Sequence, residues 1–175
     1  MSEPEGAASV PGDSGANTEG ANTEEAEKGR FSFRSQTRAA APMAVVWPLI
    51  AEAARWQDWS WLTRTVLVRE GTPVPDGVGA VRRFTFGPGG SQEEVVAFEP
   101  PHHLGYVAVS GLPVRYYRAD VELTEADGAT TVQWRGRFDP LVPGTGAVLR
   151  VVLRRMTAGF AKQVSTYAER LATGS

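Results

Sequence analysis

The chain has 175 residues, a formal net charge of −2, 42% hydrophobic and 22% charged residues, two histidines and no cysteine. That is ordinary globular material, and it excludes disulfides, thiol nucleophiles and sulfur-ligated zinc or iron. No apolar run approaches the ~20 residues of a membrane span and no basic-then-apolar signal segment opens the chain, so a soluble, cytoplasmic protein is expected.

Residues 1–29 carry seven acids (Glu3, Glu5, Asp13, Glu19, Glu24, Glu25 and Glu27) against one base, Lys28, for a charge of −6, while the rest of the chain carries +4. This stretch has no aromatic residue, and GANTE occurs twice, at Gly15–Glu19 and Gly20–Glu24. It cannot bury enough apolar area to offset its ordering entropy, so a disordered acidic tail is expected at 1–29 and a folded domain at 30–175. The positive excess of the domain is small and scattered, which argues against a nucleic-acid footprint.

RFSFRSQTRA from Arg30 alternates Phe31 and Phe33 with Arg30, Ser32 and Arg34, which reads as a first strand. Pro42 suits the first turn of a helix in which Val46, Leu49, Ile50 and Ala53 recur at helical spacing, and Pro48 should kink or divide it. A second short helical piece follows through Arg55–Trp59. Three of the five tryptophans, Trp56, Trp59 and Trp61, crowd this region. Strands come next: LTRTVLVREG, AVRRFTF and QEEVVAFE, the last two flanking Gly87-Pro88-Gly89-Gly90. HLGYVAVS, VRYYRADVELTE and TTVQWRGRF complete the series, with Asp127-Gly128 as a hairpin signal.

From about Thr145 to Ala172 there is no proline. Leu149, Val152, Leu153, Met156, Phe160, Val164, Tyr167 and Leu171 fall on one helical face, with Thr145 as the expected N-cap. The opposite face carries Arg150, Arg154, Lys162 and Glu169. A curved antiparallel sheet of seven strands with this long helix as its cover can leave a cavity between the two layers.

The order of elements and several local phrases resemble the START-like or Bet v 1-like (SRPBCC) superfamily, in its polyketide cyclase/dehydratase-type branch. The phrases are Ala41-Pro42…Val46-Trp47, Arg55-Trp56-Gln57-Asp58-Trp59, Gly77-Val78-Gly79-Ala80-Val81-Arg82, Phe98-Glu99-Pro100-Pro101 and Gly128-Ala129-Thr130-Thr131-Val132-Gln133-Trp134. The resemblance runs from about Arg30 to Leu171. It implies an α+β helix-grip fold whose seven-stranded curved antiparallel sheet wraps a long C-terminal helix, with two short helices after the first strand. It also implies a largely apolar cavity for a lipid, hormone or polyketide. None of these motifs is a catalytic signature, and members range from carriers to cyclases.

Alternation assigns the inner faces. Tyr117, Ala119, Val121 and Leu123 form the apolar set of the sixth strand, and Val132, Trp134, Gly136 and Phe138 that of the seventh. In the fifth strand Tyr106, Ala108 and Ser110 compete with Val107 and Val109; the resemblance favours Tyr106 inside. In the third and fourth, Arg82, Phe84 and Phe86 share a face, as do Glu94, Val96 and Phe98. A loop at Gly87–Gly89 would set Arg82 opposite Glu94 on the apolar face. A buried Arg82 needs such a partner, and the pair would orient a polar group on a ligand. A one-residue register slip would instead put both side chains in water.

Trp56 and Trp59 share a helical face, and the resemblance makes them packing residues. Trp61 lies outside that pattern and is the better candidate to touch a ligand or gate the cavity mouth. The candidate ligand-binding set is therefore Trp59, Trp61, Arg82, Phe84, Glu94, Val96, Phe98, Tyr106, Tyr117, Val121, Trp134, Met156 and Phe160. No catalytic residue, metal or cofactor is assigned. His102 and His103 read as exposed turn residues. Three functions compete: a binding protein for a hydrophobic or aromatic small molecule, a polyketide cyclase, aromatase or dehydratase acting largely by orientation, and a protein-interaction module using exposed tryptophans or the acidic tail.

Overall fold

The structure is a computed structural model that describes residues 29–174. The acidic tail expected at 1–29 lies outside the described residues, apart from Gly29. Seven strands form one antiparallel sheet: β1 (Phe31–Ala39), β2 (Arg64–Arg69), β3 (Val81–Phe86), β4 (Gly89–Glu99), β5 (His103–Ser110), β6 (Val114–Ala126) and β7 (Ala129–Pro140). Their order across the sheet is β1-β7-β6-β5-β4-β3-β2. Between β1 and β2 come α1 (Met43–Ala51), a 3₁₀ turn at Ala53–Arg55 and α2 (Trp56–Trp59); the chain closes with α3 (Gly146–Thr173). This is the expected α+β helix-grip architecture. Helix α3 packs mainly on β1 and β7.

Alternation decides the faces of β6 and β7. Tyr117, Ala119, Val121 and Leu123 are buried on one, and Val132, Trp134 and Phe138 on the other. Gly136 has no room for a side chain, because a Cβ there would stand 2.2 Å from the Phe33 ring. In β5 the Tyr106 face is the inner one: Leu104 and Tyr106 are buried, and Val109 is exposed.

The β3–β4 register differs from the expected one. The turn is Gly87-Pro88, because Phe86 already pairs with Gly89. The shorter turn moves every partner by one, so Arg82 lies opposite Glu93 and Val81 opposite Glu94. Glu93 is thus turned inward with Arg82, while Glu94 points out and pairs with Arg69 at 2.9 Å. Val96 also leaves the inner face. It is the extra residue of a β-bulge between Val95, opposite Tyr106, and Ala97, opposite Gly105. The bulge reverses the alternation, so Phe98 returns to the inner side and packs on Trp47 at 5.5 Å.

The short helices are held by their tryptophans. Helix α1 runs through Pro48 and ends after Ala51, so the expected division falls beyond the proline. Its N-terminus is closed from outside: the Met43 N–H donates to the Glu125 carboxylate at 2.6 Å. The carbonyls of Leu49 and Ile50, left open at its other end, accept hydrogen bonds at 2.9 Å from the indoles of Trp59 and Trp56 respectively. In α3, Leu153, Phe160 and Val164 are buried as expected, but Val152 and Leu171 are exposed. The face turns toward Thr157, Ala161, Ser165 and Ala168, whose small side chains let the helix approach β1 closely. Thr145 occupies the N-cap position without capping, since its hydroxyl turns back to the Val142 carbonyl.

Replacing Trp59 by Ala removes a buried indole and orphans the Leu49 carbonyl, so urea unfolding should show a loss of about 3–5 kcal/mol. Trp61→Ala, at a half-exposed position, should lose less than about 1.5 kcal/mol in the same assay.

Candidate functional site

Trp56 is the centre of the site. Its ring meets Trp59 at 4.7 Å, Phe84 at 4.9 Å, Phe160 at 5.4 Å and Trp134 at 5.9 Å. Rings from its own helix α2 and from three other elements (β3, β7 and α3) therefore meet on one indole. On its open side lies a small cavity of about 30 Å³, room for only one or two water molecules. Trp61, Phe84, Tyr106, Met156 and Phe160 line it, all of them from the candidate set. So do Trp56, Glu93, Ser91, Phe86, Leu112 and Thr157, which the candidate set lacked.

The remaining candidates stand elsewhere. Tyr117, Val121 and Trp134 are buried core beneath the cavity, and Trp59 seats α2 on α1. Phe98 belongs to the packing around Trp47, while Glu94 and Val96 are on the outer face. The signal for Glu93 was present in Gly87-Pro88, since a two-residue turn puts Glu93 on the inner face. Nothing in the periodicity pointed to Leu112, which comes from the β5–β6 turn.

Arg82 is the unusual group. It is fully buried, and its guanidinium lies 5.5 Å from the ring centres of Phe84 and Tyr106 and 5.8 Å from that of Trp56. Glu93 approaches to 3.7 Å, outside hydrogen-bond range, and the Arg82 nitrogens and Glu93 Oε2 find no hydrogen-bond partner among the described residues. Aromatic faces offset part of the cost of desolvating a cation but supply no acceptors. Arg82 stands behind the cavity wall, and Glu93 stands in it.

Burial pushes the Glu93 carboxyl up from 4.5 to about 7, against the pull of the Arg82 charge. Burial, then the neighbouring Tyr117 and Glu93, hold the Tyr106 phenol well above its ordinary value. Tyr106 is therefore a neutral hydrogen-bonding phenol, and it accepts a hydrogen bond from the Trp134 indole at 2.9 Å. The cavity thus offers a carboxyl that titrates near neutrality inside an aromatic box.

Trp61 closes that box. It is 46% exposed, lies nearly parallel to Phe160 (5.5 Å, 9°) and meets the edge of Phe86 at 5.6 Å. Elsewhere, His103 Nε2–H donates to the Asp120 carboxylate at 2.8 Å on the outer face of the sheet. Among the described residues, no group of three histidine or acidic side chains comes together that could hold a metal, and no helix is long and apolar enough to cross a membrane.

A seven-stranded antiparallel sheet gripping a long C-terminal helix, with a small aromatic cavity between them, is the helix-grip fold. The chain belongs to the family described as polyketide cyclase/dehydrase and lipid transport, whose profile matches residues 30–171. No curated protein matches it. Solved structures share the fold. The Zhui aromatase/cyclase from Streptomyces sp. R1128 is 16% identical over 80% of this chain and 94% of that one, with a TM-score of 0.68. A START superfamily protein from Mycobacterium smegmatis is 10% identical over 80% and 98%, with a TM-score of 0.69. A protein from Thermobifida fusca is 26% identical over 79% and 91%, with a TM-score of 0.64.

The raised Glu93 pKa has a consequence for stability. Between pH 4.5 and about 7 the unfolded chain has lost this proton and the folded chain keeps it, so stability falls as pH rises through that window. Glu93→Gln should flatten the slope, by roughly 1–3 kcal/mol across the window, in chemical unfolding at several pH values.

Proposed function

We propose that the domain binds a hydrophobic or aromatic small molecule between the sheet and α3, and that a hydroxyl or similar polar group of that molecule hydrogen-bonds to Glu93. The observation that carries this reading is the Glu93 carboxyl oxygen, buried in the wall of an aromatic cavity with no hydrogen-bond partner among the described residues. An orphaned buried acceptor costs on the order of 1–3 kcal/mol, and a guest that satisfies it recovers that cost. The Arg82 cation behind the wall keeps part of the charge on Glu93 and so strengthens the acceptor.

The cavity of about 30 Å³ is smaller than the roughly 300–1,000 Å³ of a small-molecule pocket. Trp61 is the side chain whose outward movement would enlarge it. Its stack on Phe160 puts a flat ring where the ring of a guest would lie, and its exposed edge leaves it free to swing out. Loading then exchanges one aromatic partner of Phe160 for another.

A second reading, a cyclase or dehydratase acting on a polyketide-like chain, is favoured by one observation. Glu93 titrates near 7, the range in which a carboxyl can both give and take a proton. Tyr106 beside it would hold a carbonyl. Membership of a polyketide cyclase/dehydrase family, and the fold shared with the Streptomyces aromatase/cyclase, support this reading as well.

Native mass spectrometry of freshly purified protein, with extraction of the co-purifying molecule, is the direct experiment. A bound apolar or aromatic compound is expected; an empty protein that also ignores a panel of lipids and polycyclic phenols contradicts both readings. Glu93→Gln should weaken a hydroxylated aromatic by about 10-fold or more while leaving its deoxy analogue within about 2-fold. Trp61→Ala should speed the entry of both.

A further inference from the structure

The positive charges scattered along the domain sequence are gathered by the fold. One groove at the β1 edge of the sheet takes Arg30 and Arg34 from the β1 end, Arg118 from β6, and Arg135 and Arg137 from β7. The start of α3 adds Arg150, Arg154 and Arg155. Asp120 is the acid in its lining, and it is already engaged by Arg118 at 2.9 Å and His103 at 2.8 Å.

The register makes this crowding worse. Arg34 lies directly opposite Arg135, and Arg118 directly opposite Arg137; like charges in facing positions of neighbouring strands repel. On α3, Arg150 and Arg154 stand one turn apart, where like charges again repel. Arg30 pairs with Asp139, and Arg135 with Glu122. Arg34, Arg137, Arg150, Arg154 and Arg155 form no ion pair with any acid among the described residues. Five unneutralised cations on one surface call for an anion.

The chain itself carries one of matching size. Residues 1–28 hold seven acids and one base, and they join the domain at Gly29, which lines the groove. Glu24, Glu25 and Glu27 stand within five residues of that point. The groove spans three adjacent strands, about 10 Å across, and one to two turns of helix. Twenty-eight residues of extended chain reach about 90 Å, several times what is needed.

We propose that the acidic N-terminal segment docks across this arginine groove and neutralises it. Tethering at the groove's own edge gives the segment a millimolar-scale effective concentration, so many weak, salt-sensitive contacts suffice. The segment then holds the surface against other acidic chains.

The absence of cysteine makes the test clean. A nitroxide attached to Ser14→Cys in the full chain should broaden amide signals of Arg34–Gln36, Arg135–Arg137 and Arg150–Arg155. Raising salt from about 0.02 M to about 0.5 M should restore them, because the Debye length shrinks severalfold. Replacing Glu19, Glu24, Glu25 and Glu27 together by Gln should do the same. That neutralised chain should also bind poly-L-glutamate about 10-fold more tightly than the natural one, having lost its internal competitor. Broadening confined to the residues next to Gly29, or broadening indifferent to salt and to the Gln variants, overturns the proposal. Equal affinity of both chains for poly-L-glutamate also overturns it, and assigns the groove to an external acidic partner.

Discussion

One helix cannot cover seven strands. Six inter-strand steps of about 4.8 Å make a sheet roughly 30 Å wide, and a helix with its side chains covers about 10–12 Å. Helix α3 takes the β1 and β7 side, so the inner faces of β3, β4 and β5 must be covered by side chains alone. Trp56, Trp61, Phe84, Tyr106 and Phe160 do this. They can because α1 and the turn after it bring the tryptophans over the sheet, and because the two indole hydrogen bonds to Leu49 and Ile50 fix them there. The aromatic cavity is what remains when rings, not a second helix, bridge a gap of that width.

The same gap explains Arg82. Arg82, on the inner face of β3, is fully cut off from bulk solvent. Its guanidinium is met by ring faces and by one distant carboxylate. Charge is therefore retained in the interior with its hydrogen bonds unmade, a state that a purely structural core would replace with apolar residues at little cost. Glu93 carries the counterpart of that tension in its raised pKa, and it is the member of the pair that faces the cavity.

The fold was legible because β6 and β7 alternate cleanly and α3 runs unbroken from Gly146. Trp134 and Tyr117 could be turned inward from spacing alone. Two local features defeated the same logic in β4. A turn one residue shorter than expected exchanged Glu94 for Glu93, and a bulge at Val96 reversed the alternation before Phe98. Spacing cannot show either, since both depend on hydrogen bonds made with a neighbouring strand. The pairing of a buried Arg82 with a β4 glutamate was right in kind and wrong by one position. The exposure of Val152 and Leu171 has a related cause: the small residues Thr157, Ala161, Ser165 and Ala168 set the helix's contact face, and a count of large apolar residues overlooks them. Trp61 was separable from its two neighbours because it fell outside the shared pattern.

The stack of Trp61 on Phe160 puts a resident ring in the cavity's wall, where a guest's ring would lie. In the proposed reading, any guest binds by substitution, and its measured affinity is a difference between two aromatic contacts. A stacked pair is worth about 0.5–1.5 kcal/mol beyond the area it buries, so a guest with little flat surface gains almost nothing by displacing the indole. In that reading the resident ring is an entry threshold that would screen out small aliphatic molecules without a single repulsive contact.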